Sequence, residues 1–219
     1  NTVKQWANTV IDEPTHVSLP VQIGKRQNVV VVLWDPARPG QARPSATDLY
    51  QALVDVAGNF RENSGGAFSL NLVGFHGWFS PPVAKQGNFY WNYSDPADAD
   101  GDGFTSGHTM RWVDAIRALD AHFEFDKFDR DGNGEISWSE LAVVIITPGT
   151  PGEGYQRDFY GDQVRRERLK VDNVKVPVML EIHPGFPAPD VGLLVHEFGH
   201  ATLDLGDMYF RTWPPGAPN

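Results

Sequence analysis

Residues 196–200 read His-Glu-Phe-Gly-His. Two histidines four residues apart share one face of a helix, so both imidazoles can grip a single divalent ion. Glu197, next to the first of them, lies beside that ion and can take a proton from a zinc-activated water. Zinc lowers the pKa of such a water to about 7 and so makes a nucleophile at neutral pH. The competing interpretation is a helix with two incidental histidines. It leaves two imidazoles and a carboxylate on a half-buried surface without a purpose. A catalytic zinc also needs a third protein ligand. Asp204, on a continuing helix, lies a full turn beyond His200, too far along the axis. It then orients a histidine or sits on the surface. Asp207 follows Gly206, which can end the helix in a left-handed conformation and turn the chain back. Asp207 is therefore the favoured third ligand, with a distant carboxylate such as Glu181 or Asp190 as the alternative.

A second constellation lies at residues 129–140, DRDGNGEISWSE. It fits the twelve-residue EF-hand calcium loop at each informative position. Asp129, Asp131 and Asn133 offer side-chain oxygens, and Gly134 makes the sharp turn. Glu135 offers its carbonyl, Ile136 points into the core, Ser137 acts through a water and Glu140 binds with both oxygens. The loop feeds straight into a strand and has no partner hand, which suggests structural calcium rather than sensing. A weaker calcium candidate is Asp98, Asp100 and Asp102, where position twelve is Thr109 rather than Glu. Its rival is a solvated acidic loop ahead of a helix N-terminus, where carboxylates are also favoured. His76, His108, His122 and His183 stand singly and are read as structural or exposed.

These groups need elements to hold them. Residues 29–34 (VVVVLW) and 141–146 (LAVVII) suit central strands buried on both faces. Residues 174–182 suit a third strand, with Pro177 marking it as an edge. Residues 67–79 are one or two strands. Helical spacing of apolar residues predicts a helix from Thr47, its N-cap, to about Phe60, and another over 109–123. Asp190 caps a helix over 191–205 that carries the histidines. Strands and helices interleave, so the fold class is α/β with a twisted, mostly parallel sheet. Residues 1–28 form a polar lead-in segment, and 29–219 one domain containing the calcium loop.

Composition sets the outer bounds. Apolar residues make up 41% of 219, enough for a core, and charged residues only 21%, so wholesale disorder is excluded. The net charge is -10, and the one basic cluster (Arg165, Arg166, Arg168, Lys170) reads as a solvated helix face. Nucleic acid is therefore not the expected partner. No apolar run approaches the ~18 residues of a membrane span. The absence of cysteine rules out disulfides, thiolate metal sites and cysteine nucleophiles. No signal-peptide core stands at the start, so the chain reads as a mature or processed one. No GxSxG or phosphate-binding loop supports a serine hydrolase or a nucleotidase. The oligomeric state is not encoded in any recognisable pattern.

Three segments together resemble the immune inhibitor A-type family of secreted bacterial metalloproteases. They are residues 59–71 (NFRENSGGAFSLN) with Gly77-Trp78-Phe79, residues 125–146 with the calcium loop, and residues 196–200 with 205–209 (LGDMY). The family usually reads HEFGHxLGLxDLY, with the Asp ten residues after the first His. Here Asp207 is eleven after it, and Thr202 and Leu203 stand where the family has its Gly. The resemblance implies a metzincin-like zinc endopeptidase that acts on extracellular proteins and is stabilised by calcium. It supports His196, His200 and Asp207 as zinc ligands and Glu197 as general base. It also implies further chain after the motif, so 29–219 reads as a catalytic domain truncated on its C-terminal side. The rival from another class is a non-catalytic calcium-binding surface module that keeps the fold.

Overall fold

The computed structural model describes residues 25–36, 42–81, 107–148, 153–158, 169–176, 178–184 and 188–203. The apolar run 29–34 can be satisfied only in a strand covered on both faces. It lies within β1 (Lys25–Trp34), which pairs in parallel with β2 (Phe68–Phe79) on one side and β3 (Ala142–Ile146) on the other. β3 pairs in parallel with β7 (Val178–His183). Antiparallel β4 (Glu153–Asp158) completes the order β2-β1-β3-β7-β4. The mostly parallel α/β sheet is thus as the sequence leads one to expect. β1 starts at Lys25, so the last residues of the lead-in segment already belong to the sheet.

Strand alternation divides the core in two. Val29, Val31 and Leu33 of β1, with Ala142, Val144 and Ile146 of β3 and Leu180 and Ile182 of β7, face one side. Two helices cover it, α1 (Ala46–Asn63) through Leu49, Leu53, Val56 and Phe60, and α3 (Val191–Leu203) through Leu194 and Phe198. Val30, Val32, Val143 and Ile145 face the other side, against α2 (Gly107–Asp120), which contributes Trp112, Val113, Ile116 and Leu119.

Several elements differ from expectation, each for a local reason. Ser45, not Thr47, caps α1: its Oγ accepts the Asp48 N–H at 3.1 Å. α2 ends at Asp120 rather than 123, where the His122 N–H turns back to the Leu119 carbonyl. The stretch 174–182 is not one edge strand. Val174–Lys175 (β6) pairs with Lys170–Val171 (β5) in a separate hairpin, and β7 lies inside the main sheet between β3 and β4. The hairpin turn has positive φ at Asp172 (49°) and Asn173 (67°), as a two-residue primed turn requires, and Asp and Asn tolerate that conformation. The edge on this side of the sheet, β4, has the sequence EGYQRD. An edge strand needs no continuous apolar run, and this one carries no alternation by which to recognise it.

Candidate metal centres

α3 begins soon after the C-terminal end of β7, where ligand sites of parallel sheets gather. Its cap is the expected one: Asp190 Oδ1 accepts the Leu193 N–H at 3.1 Å, and its carbonyl accepts the Leu194 N–H at 3.0 Å. Leu194 and Phe198, a helical turn apart, bury against β7 and α1. Phe198 is 1% exposed, a burial that contributes about 2–3 kcal/mol. That stripe sets the rotation of the helix. At ~100° per residue, His196 and His200 lie within about 40° of each other, on the side away from the stripe. His196 is half-buried and Glu197 is 9% exposed. The helix runs unbroken through residue 200, although the His200 side chain is not among the described groups.

Asp207 and Asp204 lie outside the described residues, as do Asp98, Asp100 and Asp102 of the weaker calcium candidate. The two distant alternatives for a third zinc ligand are described, and both are committed elsewhere. Asp190 is the helix cap, roughly 9 Å along the axis from His196. Glu181 points to the opposite face of the sheet from α3. There it is wholly buried, paired with Arg111 at 2.6 Å, and accepts from the Thr147 hydroxyl at 2.8 Å and from the Trp112 indole. His183 joins the same cluster through Thr147 at 2.9 Å, a structural role for a single histidine. His76 also packs: its ring meets Phe123 edge-on, and burial first and His122 second hold its pKa below the ordinary 6.5.

The calcium-type loop is described in full. A 3-10 turn, Phe125–Phe128, leads in with Phe125 buried. Asp129 accepts the Asn133 N–H at 3.1 Å and the Gly134 N–H at 2.9 Å, and Asp131 accepts the Asn133 N–H at 3.1 Å. The Asn133 side-chain oxygen accepts the Glu135 N–H at 2.7 Å. Gly134 has φ +78°, the left-handed conformation that the sixth loop position demands and that favours glycine. Ile136 is 2% exposed, as expected. Glu140 folds back over the loop, where it accepts the Arg130 N–H at 2.8 Å, the Ser137 N–H at 2.8 Å and the Ser137 hydroxyl at 2.7 Å. Ligand oxygens of Asp129, Asp131 and Glu140 lie within 4.8 Å of one another. This is a set of hard oxygen donors of the kind calcium takes.

Burial pushes the Glu140 carboxyl up, but the Ser137, Arg130 and Asp131 hydrogen bonds outweigh it and hold the group below its ordinary 4.5. A depressed carboxyl contributes stability that is present above the unfolded value and lost as pH falls through the folded one. Calcium-free chain is thus expected to lose loop stability only below about pH 4.5. Thermal melts between pH 7 and 3 with Glu140→Gln alongside check this, because the variant lacks that acid-side loss.

Sequence reading missed Arg111, whose partner is 70 residues away, and Asp172 and Lys175 of the hairpin. The Val-Asp-Asn-Val pattern at 171–174 carried a turn signal for the hairpin, whereas nothing local announced the Arg111 pair. No protein-family model matches the chain, and no curated protein matches its sequence.

Proposed function

We propose that the chain is a calcium-stabilised zinc endopeptidase, metzincin-like in fold and of the secreted immune inhibitor A type, acting on extracellular proteins. One observation supports this most: a capped, core-anchored helix on which positions 196 and 200 share the face away from the buried stripe, with Glu197 9% exposed on the flank of that face. His196 and His200 would hold the zinc, with Asp207 as third ligand. When bound, zinc supplies Lewis acidity to a water and to the scissile carbonyl. Glu197 takes the proton from the attacking water and passes it to the leaving amine. Among the described residues no strand pairs with the outer side of β4, and that edge would offer backbone donors and acceptors to an extended peptide. Calcium at Asp129, Asp131, Asn133, Glu135, Ser137 and Glu140 stiffens the approach to β3.

Elemental analysis with a casein assay tests the reading. About one zinc and one or two calcium per chain are expected, with hydrolysis that a zinc chelator abolishes and added zinc restores. Selective calcium removal is expected to lower Tm by about 5–10 °C, the equivalent of a site filled at a hundred times its Kd. Calcium without zinc, and no hydrolysis, would favour the non-catalytic calcium-binding module, a reading that the carboxylate cluster of the loop also supports.

A further inference from the structure

An EF-hand loop ordinarily rests on a second hand, and the sequence holds no complete second loop. The hairpin β5–β6 occupies that position. The Ile136 N–H donates to the Lys175 carbonyl at 2.8 Å, and the Lys175 N–H donates to the Gly134 carbonyl at 2.9 Å, a parallel bridge between Glu135 and Lys175. These two bonds flank Glu135, whose own carbonyl is the seventh-position ligand of the loop. A third bond ties the loop's approach: the Phe125 N–H donates to Asp172 Oδ2 at 2.7 Å. Beneath them, Leu169, Val171, Val174 and Val176 share one apolar cluster with Phe125, Ile136 and Leu141. The hairpin thus touches the loop at its lead-in, its middle and its floor.

We infer that the hairpin 169–176 and the loop 129–140 form one metal-binding unit, in which Lys175 and Asp172 hold the Glu135 carbonyl and the loop's lead-in in liganding position. They are positioning residues and touch no ion themselves. Calcium then orders more than the loop. Its pull on the Glu135 carbonyl passes through Lys175 into the chain three residues ahead of β7, while the end of the loop runs into β3. The two adjacent central strands are tightened together, and β7 leads on to the helix that carries His196. The inference rests on the calcium reading proposed above.

Amide hydrogen exchange of the full chain in EDTA and in excess calcium, with calorimetry for binding, tests it. Exchange at Phe125, Ile136 and Lys175 is expected to slow at least tenfold when calcium binds. Asp172→Ala is expected to weaken calcium about tenfold or more, the worth of one charged hydrogen bond. Asp172→Asn, which keeps an acceptor and tolerates the turn, is expected to restore most of that. The comparison is made in affinity rather than in Tm, because Asp172 also raises the proton affinity of Asp120, where burial is the larger cause. Calcium binding with exchange over 170–176 unchanged would overturn the inference and leave the calcium reading standing. No binding by calorimetry would overturn both. Should Asp172→Ala fail to fold, exchange in the unaltered chain decides alone.

Discussion

Glu197→Ala is expected to lower peptide hydrolysis by about 10²–10⁴-fold while zinc per chain stays the same. The carboxylate is not a ligand in the proposed site, so its loss leaves the two imidazoles in place. What disappears is the group that, in the proposed mechanism, would take a proton from water and return it to the amine. Because that transfer occurs only on the way to the transition state, kcat falls and KM moves little. Glu197 is 9% exposed, so truncation also removes packing. Glu197→Gln keeps the shape and serves as the matched control, with thermal melting to show that both variants are folded. Hydrolysis that survives in a folded, zinc-loaded Glu197→Gln chain would remove Glu197 from the role of base.

Glu181→Ala is expected to cost about 3–5 kcal/mol of stability, the usual loss when one partner of a buried ion pair is removed. For a chain of this size that is a fall in Tm of roughly 10 °C or more. Both partners are interior, with side-chain exposures of 3% for Arg111 and 0% for Glu181. Removing the carboxylate leaves the guanidinium charge in the core and takes an acceptor from Thr147 and Trp112. Folded Glu181→Ala is expected to bind zinc as the unaltered chain does, because the carboxylate faces α2 and not α3. Zinc loss from a chain that still melts cooperatively would return Glu181 to the list of ligands. The variant thus separates a structural carboxylate from a chemical one.

The fold was legible where a pattern is local. The runs 29–34 and 141–146 are too apolar for anything but doubly covered strands, and both became central strands with alternate residues in the two cores. The cap at Asp190 and the turn at Gly134 are likewise properties of a few adjacent residues. The edge strand β4 was illegible because strand pairing on one side imposes little on its sequence. The stretch 174–182 was misread because its apolar residues serve two elements, a hairpin under the loop and an interior strand of the sheet.

For the candidate sites, the sequence by itself determined the donor types and their spacing: two imidazoles four apart, a carboxylate between them, and oxygens at alternate loop positions. Those follow from backbone periodicity alone. Which carboxylates are free for chemistry was decided only by the tertiary structure. Glu181 and Asp190 are equal candidates on paper, but strand alternation turns the first into the opposite core and capping commits the second to α3. The hairpin that holds Glu135 lies some forty residues further along the chain, and contacts at that separation exist only once the sheet has brought the segments together.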